Sequence, residues 1–130
     1  MAPVTTMYTA LIGLLYITLA YIVVRARDRH SVSLGLGSQD ELLQPVRAHG
    51  NLVEYAPIFL LLLLLAELGS APAWLLYSAG GLFVAGRVLH AVGLLGKAGA
   101  SFGRYWGTVL TWLMILVLSL YLLVRTFWAA

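Results

Sequence analysis

The chain contains no cysteine and few charged residues. Of its 130 residues only 10% are charged, with eight Lys and Arg against five Asp and Glu. Without cysteine the chain forms no disulfide and has no thiolate nucleophile or cysteine metal ligand of its own. A soluble domain carries roughly 25% charged residues, and no polar segment here is long enough to form a separate core. A large soluble domain is therefore excluded, and no metal site is predicted.

Long apolar stretches are what the chain has in abundance. Hydrophobic residues make up 62% of the sequence, and the mean hydropathy is +0.93. Because a membrane-spanning helix needs about 20 apolar residues, the chain has room for about four spans. The predicted spans cover residues 6–24, 46–68, 73–95 and 104–124 of a single domain, 1–130. Their short connections predict an all-α membrane protein, an antiparallel bundle of four transmembrane helices.

The basic residues predict the orientation of this bundle. Six of them lie in or beside the two loops on one side of the membrane: Arg25, Arg27, Arg29, Arg47, Lys97 and Arg104. The opposite side has Arg125 alone, and Arg87 lies within a span. Since Lys and Arg accumulate in cytoplasmic loops, both loops are predicted to be cytoplasmic and both termini outside. Because the positive charge is explained by topology, no nucleic-acid partner is predicted.

A polar stripe at the start of the second span is the most informative feature. Arg47, Asn51 and Glu54 lie at i, i+4 and i+7 and therefore share one face of a helix. Charges within a span are costly and usually functional. This face must therefore contact a partner, a ligand or water.

The third span carries two further polar residues, Arg87 and His90. With a rise of about 1.5 Å per residue, Glu54 lies roughly 10 Å and Arg87 roughly 13 Å from the cytoplasmic surface. These similar depths predict a Glu54–Arg87 ion pair, in one subunit or between two. Such a pair either fixes the helix register or supports a site, whereas the shallower Arg47 and Asn51 are predicted to face a ligand.

Arg104 begins the fourth span, beside a glycine-rich loop. It is either a topology anchor or a residue that stabilises an anion or a thiolate. Six polar residues converge on the cytoplasmic half of the bundle: Arg25, Arg47, Asn51, Arg87, His90 and Arg104. This is more positive charge than Glu54 can neutralise, so the sequence predicts a basic cavity with an anionic ligand.

Two sequence pieces resemble the MAPEG family, the membrane-associated proteins in eicosanoid and glutathione metabolism. That family includes microsomal glutathione transferases, leukotriene C4 synthase and membrane prostaglandin E synthase. The pieces are Arg47-Ala48-His49-x-Asn51-x-x-Glu54-x-x-Pro57 and Gly86-Arg87-Val88-x-His90-x-Val92, followed by Lys97 and Arg104. The chain looks most like the short bacterial members, which implies an integral protein of the bacterial inner membrane.

The resemblance implies a homotrimer with a glutathione site between neighbouring subunits. It further implies a glutathione-dependent transferase or peroxidase that acts on lipophilic electrophiles from the bilayer. Arg104 corresponds to the catalytic arginine that stabilises the glutathione thiolate. The residues implied to bind glutathione are Arg25, Arg47, Asn51, Glu54, Arg87, His90 and Tyr105.

Departures from the family pattern keep two alternatives open. Leu94 stands where the family has a tyrosine, and Tyr105 where prostaglandin synthase members have a serine. These changes motivate a non-catalytic scaffold of the same fold that binds lipid or glutathione. A small proton-coupled exporter with Glu54 as the proton carrier is disfavoured, because such exporters place the glutamate in the first span. The first span here has no acidic residue.

Overall fold

Four long helices make up almost all of the computed structural model, which describes residues 1–36, 40–97 and 99–128. The helices are α1 (Pro3–His30), α2 (Leu43–Leu68), α3 (Ala73–Gly96) and α4 (Phe102–Trp128), and a 3-10 turn (Asp40–Leu42) precedes α2. The described part of the chain contains no strand. Each helix is long and apolar enough to cross a membrane. The predicted all-α class with four apolar helices is therefore confirmed.

The helix ends follow from local sequence. Pro3 opens α1, where its missing N–H would have no helical acceptor in any case. Ser31 ends α1 in the left-handed conformation, with φ of 54°. Pro57 lies inside α2 without ending it, which a membrane helix tolerates when its neighbours satisfy the freed carbonyl. α2 begins at Leu43, three residues before the predicted span, and this shifts the depth of every residue along it.

The two central helices, α2 and α3, each contact all the others, whereas α1 and α4 make no close approach to each other within the described ranges. The centre is apolar and closely packed: the Phe59 and Phe83 rings stack with centroids 3.8 Å apart. Leu63 and Leu118 are fully buried beside them. We call the end with the α1–α2 and α3–α4 connections the loop end, and the opposite end, with both termini, the terminal end.

The terminal end is held by polar contacts between helices. Glu67, near the end of α2, accepts hydrogen bonds from the backbone N–H groups of Val4 (2.9 Å) and Thr5 (2.7 Å). These are first-turn amides of α1 that have no acceptor within the helix. Arg125 of α4 donates to the Gly69 carbonyl oxygen at 2.8 Å. Glu67 is thus a carboxylate cap that joins α2 to α1.

Glycines bring α3 and α4 into backbone contact. A methyl group on Gly107 would lie 2.5 Å from the Gly86 carbonyl oxygen and 2.7 Å from the His90 backbone nitrogen. One on Gly103 would lie 2.6 Å from the Leu89 carbonyl oxygen. Only glycine permits this approach, which sets the start of α4 directly against the loop-end half of α3.

Candidate functional site

A cavity of about 500 Å³ opens in the loop-end half of the bundle, and we call it the polar cavity. Its lining comes from α2, α3 and the start of α4: Leu43, Gln44, Arg47, Asn51, His90, Leu94 and Arg104. Four of the predicted site residues therefore meet here, namely Arg47, Asn51, His90 and Arg104. Two guanidinium groups and no described acidic side chain line the polar cavity, so its chemistry suits an anion.

The position of Arg104 is fixed by the α3–α4 connection. Its backbone N–H donates to Ser101 Oγ at 3.3 Å, and that hydroxyl donates to the Gly93 carbonyl oxygen at 3.0 Å. Its guanidinium Nη1 donates to the Gly99 carbonyl oxygen at 2.9 Å. The close packing of Gly107 against His90 sets the distance between the two helices. Arg104 and His90 consequently line the same space from different helices.

Arg87 lies behind the polar cavity and does not line it. The residue is only 2% exposed. Its Nη1 donates to Asn51 Oδ1 of α2, and its Nη2 donates to the Gly107 carbonyl oxygen of α4 at 3.0 Å. The carbon of its guanidinium lies 5.4 Å from the centre of the Tyr55 ring, within cation–π range. Arg87 thus connects three helices and orients the Asn51 amide at the edge of the cavity.

The predicted Glu54–Arg87 ion pair is wrong within one chain. Arg87 bonds to Asn51 instead, and Glu54 pairs with Arg47 through an Nη1–Oε1 distance of 3.2 Å. The physical reason is depth. Counted from the start of α2 at Leu43, Asn51 lies about 12 Å from the loop end and Glu54 about 16 Å. Counted from the end of α3 at Gly96, Arg87 lies about 13 Å from the same end. Asn51 is therefore at the depth of Arg87, and Glu54 lies deeper.

The Arg47–Glu54 pair spans two helical turns on an outward face of α2. Their side chains are 53% and 50% exposed. Gly50 lies beneath the pair, and a methyl group there would come 4.0 Å from both the Arg47 Nη1 and the Glu54 Oε1 atoms. A long side chain at Gly50 would compete for this space. Within a single chain, Glu54 lines none of the three cavities described in this section.

A second cavity, of about 540 Å³, adjoins the polar cavity along α4, and we call it the apolar cavity. It is lined by His90, Ala100, Ser101, Arg104, Tyr105, Thr108, Val109 and Trp112. His90 and Arg104 line both cavities. Tyr105, which the family resemblance implied as a glutathione contact, lies on the apolar side of this boundary.

Among the residues of the apolar cavity that sequence reasoning missed, three have a polar side-chain atom: Ser101, Thr108 and Trp112. Their signal is present in the sequence, because Arg104, Thr108 and Trp112 are spaced by four and therefore share one face of α4. The tryptophan indole Nε1 donates to the Tyr55 hydroxyl of α2 at 3.1 Å. This contact between distant parts of the chain has no sequence signal.

Arg25 does not join the polar cavity within one chain. It lines a third cavity, of about 610 Å³, on the α1 side of α2, together with Arg29, His30 and Glu41. His30 Nε2 and Glu41 Oε2 are 3.3 Å apart in that wall. Arg25 itself donates to the hydroxyl of Tyr21 at 3.3 Å. The start of α2 therefore separates Arg25 from the other predicted site residues.

His49 belongs to the sequence motif but faces α1. Its ring centroid lies 4.7 Å from that of Tyr16, with the planes inclined by 62°. Its Nε2 is buried and has no hydrogen-bond partner among the described residues. Because His49 is two residues from both Arg47 and Asn51, it lies on the opposite side of α2 from the polar cavity.

Comparison with known proteins gives two relatives and a family. The relatives are the inner membrane protein YecN of Escherichia coli strain K12 and that of Escherichia coli O6:H1. Each is 38% identical over 90 residues, which cover 69% of this chain and 69% of the relative. The MAPEG family model matches residues 5–124, from the first turn of α1 to the last turns of α4. With nearly the whole chain matched, the resemblance of the motifs is confirmed, and the chain belongs to the MAPEG family.

Proposed function

We propose that the protein is a glutathione-dependent transferase or peroxidase that acts on lipophilic electrophiles within the membrane. The observation that carries this proposal is the junction of the polar and apolar cavities at His90 and Arg104. A charged thiol compound and a lipophilic molecule can approach the same guanidinium from two sides. Membership in a family named for glutathione metabolism supports the choice of thiol.

The residues of the polar cavity fit glutathione. The tripeptide carries two carboxylates and one ammonium group, so its net charge at neutral pH is negative. Arg47 and Asn51 of α2 and His90 of α3 supply hydrogen-bond donors for the carboxylates and amides. Glu54 does not line the polar cavity within one chain, but its carboxylate pairs with Arg47, which does, and would accept the ammonium group in the proposed complex. The volume of about 500 Å³ lies within the range of small-molecule sites.

Glutathione supplies a sulfur nucleophile whose lone pair forms a bond to an electrophilic carbon. In a substitution, a leaving group departs with its bonding electron pair. In an addition, the π electron pair of a double bond moves away from that carbon and is protonated. Arg104 is the catalytic residue, because a fixed guanidinium favours the thiolate over the thiol. With a hydroperoxide, two glutathione molecules become the disulfide while the peroxide is reduced to an alcohol and water. Arg87 is a positioning residue, since it acts on the site through Asn51.

A homotrimer with the site between subunits belongs to this proposal. The half-exposed Arg47–Glu54 pair lies on a membrane helix, where ionic groups that face lipid are costly. A neighbouring subunit that covers this face would remove the cost. Arg25, which lies on the other side of α2, would then reach the polar cavity of the next subunit. Membrane lipids surround the assembly and deliver the lipophilic substrate.

The proposed location is the bacterial inner membrane, with the loop end in the cytoplasm and both termini outside. The names of the two YecN relatives support the membrane assignment. Six of the eight basic residues lie at or near the loop end, as the positive-inside rule requires of a cytoplasmic face. Glutathione would then enter the polar cavity from the cytoplasm.

Calorimetric titration of the detergent-purified protein with glutathione tests the proposal, together with a conjugation assay on a lipophilic electrophile. Binding and conjugation are expected for the unchanged protein. Arg104→Ala should retain binding and lose conjugation. Arg125→Ala is the matched control, because this arginine contacts Gly69 at the terminal end. Absence of heat and of conjugate at millimolar glutathione would refute the proposal.

A non-catalytic scaffold that binds lipid or glutathione is the second candidate. It is favoured by Leu94, a buried apolar residue in the wall of the polar cavity where the family has a tyrosine. Leucine offers no hydrogen bond to a thiol or an amide. Glutathione or lipid bound without turnover would support this candidate, and turnover that depends on Arg104 would contradict it.

A further inference from the structure

Ser101 places a hydroxyl in the wall of the apolar cavity, three residues before Arg104. Such a hydroxyl either donates a hydrogen bond to a ligand or holds another group of the protein in place. A serine hydroxyl carries a single proton. Because a carbonyl oxygen can only accept, that proton is donated to the Gly93 carbonyl oxygen at 3.0 Å. It is therefore not free for a ligand, and the contacts of Ser101 favour the second role.

The same hydroxyl caps α4. Its oxygen accepts a hydrogen bond from the backbone N–H of Arg104, the third residue of the helix, at 3.3 Å. A serine N-cap makes this contact, which satisfies an amide that has no acceptor within the helix. One hydroxyl thus connects the last turn of α3, at Gly93, to the residue that carries the guanidinium. We call these two hydrogen bonds the Ser101 link.

The absence of a side chain at Gly93 makes this link possible. A methyl group there would lie 2.7 Å from the Arg104 backbone nitrogen and 2.8 Å from Ser101 Oγ. Both distances are too short for a real side chain, so only glycine permits the approach. The Arg104 guanidinium is itself bonded to the Gly99 carbonyl oxygen at 2.9 Å. Arg104 is therefore held at its backbone by Ser101 and at its side chain by the preceding loop.

We propose that Ser101 is a positioning residue of the proposed reaction, whose hydroxyl holds Arg104 where its guanidinium stabilises the glutathione thiolate. This inference rests on the proposed function for the identity of the reacting group. The link between Gly93, Ser101 and Arg104 is independent of that identity. Ser101 acts through Arg104 and donates no hydrogen bond to the sulfur.

Loss of the Ser101 link should lower the reaction rate more than the affinity for glutathione. Ser101→Ala removes both hydrogen bonds, and a misplacement of about 1 Å in a catalytic group can cost about 100-fold in rate. We therefore expect kcat to fall about 10-fold to 100-fold. The glutathione dissociation constant should change little, because Ser101 does not line the polar cavity. Ser101→Thr keeps a hydroxyl and should retain most of the rate.

Conjugation of chlorodinitrobenzene in detergent measures these rates. The thiol proton passes to water, the glutathione sulfur bonds to the ring carbon, and chloride leaves with its electron pair. In protein that already carries Arg104→Ala, the change Ser101→Ala should have no further effect on the rate, since Ser101 acts through that arginine. Ser78→Ala is the matched control, because it removes a hydroxyl that donates to the Trp74 carbonyl oxygen at the other end of α3.

The pH profile separates positioning from a merely structural role. A displaced guanidinium leaves the glutathione thiol with a higher pKa, which lowers the thiolate fraction most near neutral pH. Above about pH 9 the thiol ionises without assistance. The rates of Ser101→Ala and of the unchanged protein should therefore converge there. An equal loss of rate at every pH, or no loss, would overturn the inference.

Chemical modification tests the link without glutathione. Phenylglyoxal reacts with exposed guanidinium groups, and mass spectrometry of the digested protein gives the rate at each arginine. Ser101→Ala should raise the rate at Arg104 several-fold relative to Arg125, and Ser101→Thr should not. If nothing is conjugated but Arg104 becomes more reactive, the proposed function fails and the positioning of Arg104 stands. If conjugation occurs and neither its rate nor the modification of Arg104 responds to Ser101→Ala, the inference fails and the proposed function stands.

Discussion

The hydrogen bond between Arg87 and Asn51 should make a measurable contribution to the stability of the bundle. Arg87 is 2% exposed, and neither of the ion pairs found among the described residues includes it. Its guanidinium relies on the Asn51 side chain and on the Gly107 carbonyl oxygen, and its Nε has no partner in the described part of the chain. Removing the Asn51 amide therefore leaves a charged donor buried and unsatisfied.

The expected magnitudes follow from this geometry. A hydrogen bond to a charged group contributes about 1.5–3 kcal/mol. Asn51→Ala should therefore lower the free energy of unfolding by about 2–3 kcal/mol. Arg87→Met removes the buried charge together with its bonds, so its cost should be smaller, about 1–2 kcal/mol. The double variant should be about as stable as Arg87→Met alone, which corresponds to a coupling equal to the Asn51→Ala cost, about 2–3 kcal/mol.

Titration with sodium dodecyl sulfate in mixed micelles, followed by circular dichroism, measures these free energies of unfolding. Asn51→Asp is the matched control, because its carboxylate can still accept from Arg87. The glutathione dissociation constant, measured in parallel, should rise for Arg87→Met although this side chain lines none of the three cavities described above. If the single-variant costs add to within about 0.5 kcal/mol, the pair is not coupled and the positioning role of Arg87 is refuted.

Three further predictions concern the helix ends, the helix contact and the chemistry. Glu67→Ala should lower the free energy of unfolding by about 1–2 kcal/mol, because two amides of α1 lose their cap; Glu41→Ala, at an exposed site, should change it little in the same titration. Gly107→Ala should cost about 1–3 kcal/mol through overpacking, whereas Gly13→Ala, with open space around it, should not destabilise. Arg104→Ala should lower the conjugation rate about 100-fold to 1,000-fold with a smaller effect on glutathione affinity, by analogy with the loss of one oxyanion-stabilising donor; equal losses in both would contradict its role at the thiolate.

The depth of each polar residue along its helix could be predicted from the sequence, but its accuracy depended on how well the first residue of that helix was predicted. The apolar runs predicted the four helices. The spacing of Arg47 and Asn51 predicted that they share one face of α2, and both line the polar cavity. Within one chain, Arg87 bonds to Asn51 and not to Glu54 as predicted. The reason is that α2 begins at Leu43, and the additional turn brings Asn51 to the depth of Arg87. A 3-10 turn (Asp40–Leu42) with a buried Leu42 leads into that start, and helical periodicity does not indicate where such a turn ends.

The apolar cavity could not be predicted because it depends on contacts between residues far apart in the chain. Spacing alone places Thr108 and Trp112 on the face of Arg104, but any helix has several such faces. The bond from Trp112 to Tyr55, 57 positions away, selects which face encloses space. Nothing in a single sequence indicates that these two residues are in contact.

Gly107 links the chemistry of the site to its framework. Its missing side chain lets α4 reach the His90 backbone, and its carbonyl oxygen accepts from the Arg87 guanidinium. That guanidinium in turn orients Asn51 at the polar cavity. A methyl group at Gly107 therefore disturbs two sides of the cavity without touching a ligand: it displaces His90 directly and Asn51 through Arg87. Glutathione affinity should consequently fall further in Gly107→Ala than in His90→Ala. The glycine substitution displaces both His90 and Asn51, whereas the histidine substitution removes one binding residue.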